Sequence, residues 1–446
     1  MERVSGNCHQ EARGVEGVLH GLQRRELMEV FERLHTALIE KNFDEYFSVL
    51  EAEVKPSPET SYECLVYFLE RSGGLGLFGP DELLDYILPN QFSDIFERCA
   101  SALGMNDKEA EKSGHSLQHN LLKNLSFQSP DLFYPHLDFI WQKNTDEFRN
   151  GWQNSGEIHH ARLIECLNDP DQGKNHWEAL MRLELSNCIK GFELAKQYGK
   201  SQDTVWAVKE NSWQQVPNTE GIYLLENAGF EYRAGNWNQL YLQASYHFRF
   251  GDEQRLKHNN QEALHMRLND LSWVIPGSVG KMRFGGVGQV GCPICGKESH
   301  HLLTINTAPH GIPLTTPIIF ETCLYCMVHH RPMYAKHDQH GFPTIEPSYQ
   351  MFERDYDVDP FEEMHIDLVP TPQRWFWQDS LNKQNISRLG GPPAWLQGPE
   401  YEPCPSCENP MLFLAQIGDG IIYVHAIIYI FWCDKCRMSA ILNTYT

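Results

Sequence analysis

Four C-x-x-C pairs constrain this chain more than anything else in it: Cys292/Cys295, Cys323/Cys326, Cys404/Cys407 and Cys433/Cys436. A C-x-x-C turn presents two sulfurs to one ion while amides in the turn stabilise the thiolates. Two such turns complete a tetrahedral site with zinc–sulfur bonds of roughly 2.3 Å. The inner cysteines are separated by 27 residues in the first half-set and by 25 in the second. The segments between them, HLLTI and TTPIIF in one, MLFLAQI and IIYVHAIIYIF in the other, have the composition of strands that would bring the turns together. Four thiolates fill the coordination sphere of zinc and leave no position for water, so the expectation is two structural zinc ions. Catalytic zinc and redox-active dithiols are the competing readings. Sharing of one ion between Cys292/Cys295 and Cys404/Cys407 is a further alternative that spacing leaves open.

The cysteine half repeats itself. CPIC matches CPSC, Leu302 matches Leu414, Ile305 matches Ile417, and Ile318-Ile319-Phe320 matches Ile428-Tyr429-Ile430. A double glycine precedes each copy, Gly285-Gly286 and Gly390-Gly391. This reads as one module used twice.

Upstream the texture is helical. Leu27, Val30, Phe31, Leu34 and Leu38 recur at helical spacing, as do Trp177, Met181, Leu185, Ile189 and Phe192. From about Gly221, GIYLLE and LYLQASYHFRF turn β-like, with a helix still open for the second. The expected fold class is α+β, a helical N-terminal region followed by a β-rich half with two zinc ribbons. The expected organisation is a helical domain over 1–215 and a mixed connecting region over 216–275. A first ribbon over 276–340, an acidic and aromatic connector over 341–387 and a second ribbon over 388–446 follow. At 446 residues the chain has room for several cores.

Charge bears on partners. With 37 basic against 59 acidic residues, the formal charge is −22. That repels phosphate backbones, and no basic patch offsets it, so no nucleic-acid partner is expected. An acidic surface suits a basic protein partner, although solubility alone also accounts for it. No apolar run reaches the roughly 18 residues that span a bilayer, so no membrane role is expected. The opening MERVSGNCHQEARG is polar and reads as no export signal. Of 13 cysteines, eight sit in the C-x-x-C pairs and the others (Cys8, Cys64, Cys99, Cys166, Cys188) are scattered. Metal thiolates plus buried free thiols suit a reducing cytoplasm.

Other constellations are weaker. His329, His330, His337 and His340 lack a carboxylate set that would complete a metal site. Asp355, Asp357 and Asp359 lack the glycine and terminal glutamate of a calcium loop. Trp375, Phe376 and Trp377 read as core or as a contact hot spot. His159-His160 lacks the H-E-x-x-H arrangement and reads as a pair of surface or cap histidines. FGGVGQVG lacks the lysine and hydroxyl residue of a phosphate loop.

RLGGPPAWLQ, then CPSC, then PMLFLAQI and YIFWC, form a string that resembles the YwqG-like family of bacterial proteins. It is equally similar to the zinc-ribbon part of the programmed-cell-death-protein-2 family. The matching positions are Gly390, Gly391, Trp395, Gln397, Cys404, Cys407, Met411, Phe413, Leu414, Gln416 and Ile417. The first copy lacks the tryptophan and has Thr304 where the glutamine would be. The resemblance implies a ribbon region that binds protein, and it carries over no catalytic residue. The eukaryotic relatives look like chaperones for a ribosomal protein, and the bacterial ones look like immunity proteins encoded beside polymorphic toxins. The expected function is therefore that of a non-catalytic cytoplasmic zinc-binding protein of immunity type, neutralising a toxin. A chaperone for a basic client is the alternative, and an enzyme with its site in the N-terminal region is a third reading.

Overall fold

The computed structural model describes residues 8–71, 80–100, 117–143, 146–198, 204–209, 212–226, 228–250, 278–306, 316–327, 331–347, 363–370, 386–396, 398–418 and 426–445. Asp355, Asp357, Asp359, Trp375, Phe376, Trp377, His329, His330 and Gln397 lie outside the described residues. A helical N-terminal part is followed by a β-rich remainder, as the α+β reading expects. The chain divides into two compact units, Met1–Leu125 and Ser126–Thr446.

The first unit is built from α1 (Cys8–Ile39), α2 (Phe43–Val49), α3 (Pro58–Arg71) and α4 (Phe92–Ala100). Phe31, Leu34 and Leu38 of α1 are buried, and Phe31 meets Tyr67 of α3 with ring centroids 5.5 Å apart. Asn42 starts α2 by accepting the Glu45 amide on its side chain, which satisfies one of the orphan donors of the first turn.

The second unit opens with helices and closes with strands. After α5 (Leu117–Gln128), which spans the boundary, come α6 (Leu137–Lys143), α7 (His160–Asn168), α8 (His176–Leu185) and α9 (Ile189–Tyr198). The stripe from Trp177 to Phe192 is thus not one helix. Ser186 and Asn187 break it, with Asn187 in the left-handed region at φ 49°. Short polar side chains tolerate that conformation and compete with helical hydrogen bonds. Met181, Leu185 and Phe192 stay buried, but Trp177 and Ile189, expected on the core face, are exposed.

Strands begin at β1 (Thr204–Lys209), which pairs with β2 (Ser212–Pro217), inside the stretch expected to be helical. A second small sheet joins β3 (Tyr223–Leu225), β4 (Phe230–Arg233) and β5 (Asn236–Gln239). Phe192 of α9 packs on it, 4.6 Å from Phe230 and 5.3 Å from Trp237 between ring centroids.

The main sheet holds the site. Its strands are β6 (Ser245–Arg249), β7 (Gly280–Phe284), β8 (Val287–Gly291), β9 (Glu298–Ile305), β10 (Ile318–Thr322), β11 (Met333–His337) and β12 (Pro343–Ile345). They are followed by β13 (Met364–Pro370), β14 (Arg388–Gly390), β15 (Leu412–Ile417), β16 (Ala426–Cys433) and β17 (Met438–Tyr445). The order is β10-β9-β7-β13-β6-β14-β15-β16-β17-β11-β12, with β8 on β9. LYLQASYHFRF contributes a strand, β6, not a helix. The ends of the sheet meet, with the Ile319 amide donating to the Gly341 carbonyl at 3.1 Å. Phe248, Phe284, Leu303, Phe320, Ile430 and Trp432 belong to one buried apolar core.

Strand β16 explains the long apolar run near the C-terminus. All eight of its residues are buried, so both faces are covered and strict alternation disappears. Ile428, Ile430 and Trp432 enter the core. Tyr429 and Phe431 take the other face, where Trp395 packs 4.8 Å from Tyr429 and 6.3 Å from Phe431.

Candidate metal centres

Each centre is built from two turns placed at strand ends. In the first, the turn at Cys292–Cys295 links β8 to β9, and the turn at Cys323–Cys326 follows β10. In the second, Cys404–Cys407 precedes β15, while Cys433 ends β16 and Cys436 precedes β17. The antiparallel pairs β9/β10 and β15/β16 bring these turns together.

The opening turns have the same backbone geometry. The Cys292 amide donates to the Lys297 carbonyl and the Gly296 amide to Cys292, at 2.8 and 2.9 Å. In the second centre the Cys404 amide donates to Asn409 and the Glu408 amide to Cys404, both at 2.8 Å. The residue after the second cysteine is left-handed in both, Gly296 at φ 73° and Glu408 at φ 59°.

The sulfurs converge within each copy, not between copies. Cys292, Cys295, Cys323 and Cys326 form one group and Cys404, Cys407, Cys433 and Cys436 the other, with all ligand atoms of a group within 4.8 Å of one another. A tetrahedron with metal–sulfur bonds of about 2.3 Å has sulfur–sulfur edges of about 3.8 Å. The observed Cys292–Cys326, Cys295–Cys323 and Cys407–Cys433 separations are 3.8, 3.5 and 3.7 Å. The chain therefore carries two sets of four thiols placed to hold metal ions.

Electrostatics match that geometry. Hydrogen bonding from Cys323 lowers Cys292 to about 5, and hydrogen bonding from Cys433 lowers Cys404 to about 5. Cys323 and Cys433, donors to those sulfurs, are pushed up, and burial raises Cys326 to about 12 and lifts Cys436. One thiolate in each set opposes ionisation of its neighbours. A divalent cation removes that opposition, because it makes every sulfur a ligand of positive charge.

The residues around the second centre lock it to the sheet. Tyr429 donates its hydroxyl to the Ala394 carbonyl at 2.9 Å and accepts the Leu396 amide at 3.0 Å. The Gln416 side chain accepts the Ala394 amide and donates to the Ile386 carbonyl, both at 2.8 Å. Gly390, at φ 73°, admits the backbone just before β6, since a Cβ there would meet the Ala244 carbonyl oxygen. Trp395, Gln416 and Gly390 thus hold the segment that carries Cys404. The first centre lacks this lock and uses a buried carboxylate. Glu321 accepts the Gln289 and Val290 amides and the Ser299 hydroxyl, tying β8 to β9 and β10 just before Cys292. No motif pointed to Glu321, a lone carboxylate directly after the apolar run Ile318-Ile319-Phe320.

The histidines between the copies do not form a further centre among the described residues. His337 is buried, donates Nδ1–H to the Gly341 carbonyl at 3.2 Å and has Nε2 2.9 Å from the Ser439 hydroxyl. His340 is exposed. His159 begins α7 in the left-handed region, with Nδ1 2.7 Å from Asp138. His160 is not the surface or cap residue expected. It is 3% exposed and faces Ser186 and Cys188.

No family model matches the chain. No solved structure matches it. An uncharacterized protein, YpfL of Salmonella typhimurium strain LT2, is 28% identical over 169 residues. The match covers 33% of this chain and 37% of YpfL, so the chain spans well under half of that relative. Among the described residues, no helix is long and apolar enough to cross a membrane.

Proposed function

We propose that the β-rich half is one zinc-ribbon module used twice and that the chain is a non-catalytic protein that binds another protein. Both metal ions are zinc and both are structural. The observation that carries this reading is the closed donor set: four sulfurs, mutually within 4.8 Å, leave no ligand position for water or substrate. Zinc supplies a cross-link between turns there, and the chain's own residues supply the surface.

Strand register supports duplication in detail. Ile318, Ile319 and Phe320 face Ile305, Thr304 and Leu303, and Ile428, Tyr429 and Ile430 face Ile417, Gln416 and Ala415. The irregularity then falls at Leu302 in one pair and at Leu414 in the other. Arg283 sits between Thr304 and His365, as Arg388 sits between Gln416 and His247. The repeat therefore includes β6 and β13, and these strands are exchanged. β6 precedes the first copy but pairs with β14 of the second, and β13 precedes the second but pairs with β7 of the first.

The partner class follows from charge and resemblance. A formal charge of −22 favours encounter with a basic protein. The YwqG-like texture of residues 388–436 favours an immunity-type role against a toxin, and the same charge also suits a chaperone of a basic client. Affinity capture with the full chain in its native host tests both. A basic toxin supports the first, a ribosomal protein supports the second, and the absence of any stoichiometric protein partner overturns protein binding.

A further inference from the structure

The acidic excess is not spread evenly along the chain. The first compact unit, Met1–Leu125, holds 22 acidic against 12 basic residues. That is a net −10 of the chain's −22, in little more than a quarter of its length. Some of its basic side chains are taken up in internal pairs. Arg33 of α1 meets Glu45 at 2.6 Å and Glu53 at 3.0 Å. Buried Lys55 meets Glu51 at 2.5 Å and Glu82 at 3.5 Å. Glu40 and Asp44, at the corner where α1 gives way to α2, are both exposed, with exposed Lys41 between them.

The same corner exposes large apolar side chains. Ile39, Phe43 and Phe47 are 60%, 38% and 46% exposed. Phe43 and Phe47 stand four residues apart on α2, so they share one face of it. The backbone that carries them is fixed. The Asn42 amide donates to the Ala37 carbonyl at 2.8 Å, and the Lys41 amide donates to Leu38 at 3.2 Å. Lys41 is left-handed at φ 57°, which turns the chain so that Arg33 of α1 can meet Glu45 of α2. Tyr46 is buried, with its ring 5.2 Å from that of Phe47. Single exposed apolar side chains are ordinary on a protein surface. Three at four-residue spacing, with acidic residues beside them, have the character of an interaction site: apolar contacts inside a polar rim.

We propose that this corner of the helical unit docks a basic amphipathic helix of a partner protein, an inference that rests on reading the chain as a protein-binding one. Charge selects the occupant. A second copy would set one net −10 unit against another, and an anionic lipid surface would be repelled in the same way. A cationic helix is attracted by the same field. Its apolar face meets Ile39, Phe43 and Phe47, in the manner of helices that dock through anchors one turn apart. Its basic flank meets Glu40 and Asp44. The aromatic side chains supply the buried contact, and the acidic rim speeds encounter. The resemblance of residues 388–436 implies binding through the ribbon region, whereas charge density and the exposed aromatics assign it to the helical unit.

The test uses the zinc-loaded full chain and a fluorescein-labelled peptide of leucine and lysine, with every leucine on one helical face. A length of about 18 residues suffices for a helix. Fluorescence anisotropy is expected to show saturable binding to the parent. The double variant Phe43→Gln, Phe47→Gln should bind at least about tenfold more weakly with its melting temperature preserved. A scrambled peptide of the same composition, and one with glutamate in place of lysine, should each lose at least about tenfold in affinity. Glu40→Gln with Asp44→Asn should slow association and leave dissociation nearly unchanged, and this pair decides if the aromatic variant does not fold. Unchanged affinity of the aromatic variant, or equal binding of the scrambled or acidic peptide, would overturn the proposal. So would sedimentation showing a dimer of the parent that the aromatic variant does not form. In affinity capture from the native host, a partner held equally by parent and aromatic variant would overturn this surface and leave protein binding intact. Capture of no partner would overturn the reading on which the surface rests.

Discussion

Single residues in this chain have roles that their type alone does not announce. Trp395 matched a motif, and either a binding face or a core position was consistent with that. At 9% exposure, edge-on to Tyr401 and over Tyr429, it is core. Trp395→Ala should cost about 3–5 kcal/mol of stability, and thermal melts with a zinc-release readout should show the second centre loosening first. A variant that melts like the parent would place the ring outside the core. His301 and His337 carry a different consequence. Burial holds both imidazoles down at about 4, against 6.5 for a free imidazole. Both are neutral in the fold, and the unfolded chain takes the extra protons. Their contribution is therefore complete above about pH 6.5 and is lost as pH falls toward 4. A drop of that size corresponds to about 3 kcal/mol per group. Denaturant midpoints between pH 7 and 4.5 should fall less steeply in His337→Gln than in the parent, and equal slopes would contradict the assignment.

At the scale of elements, what was legible in the sequence followed the range of the interaction. The C-x-x-C turns are local, and every one of the eight cysteines joins a group of four. The β9/β10 and β15/β16 hairpins were legible too, because each copy's strands flank its own turns. The break between α8 and α9 was not, since Met181, Leu185 and Phe192 keep helical spacing across it and only Ser186 and Asn187 signal it. The exchange of β6 and β13 was beyond reach, because pairing between residues as far apart as Met364 and Phe284, or Arg388 and His247, leaves no local mark. The turns themselves yield a prediction. Glycine occupies the left-handed position of the first centre, whereas glutamate is held there in the second. Left-handed backbone costs a side-chain-bearing residue roughly 1–2 kcal/mol, partly offset by the greater freedom of glycine when unfolded. Glu408→Gly should leave the melting temperature level or raise it, and a clear fall would show that the Glu408 side chain contributes a contact.

For the whole molecule, the proposed encounter with a basic protein rests on the acidic excess of 59 acidic over 37 basic residues. If charge steers that encounter, raising salt should slow association more than it speeds dissociation. Association rates indifferent to salt would argue for an apolar interface instead. Such binding rests on an intact fold, and that fold rests on the two metal-held turns at the strand ends. The most direct measurement is metal analysis of the purified full chain after mild chelation. Two tightly held zinc ions per chain are the expected result, and one ion or none would contradict the duplicated structural centres.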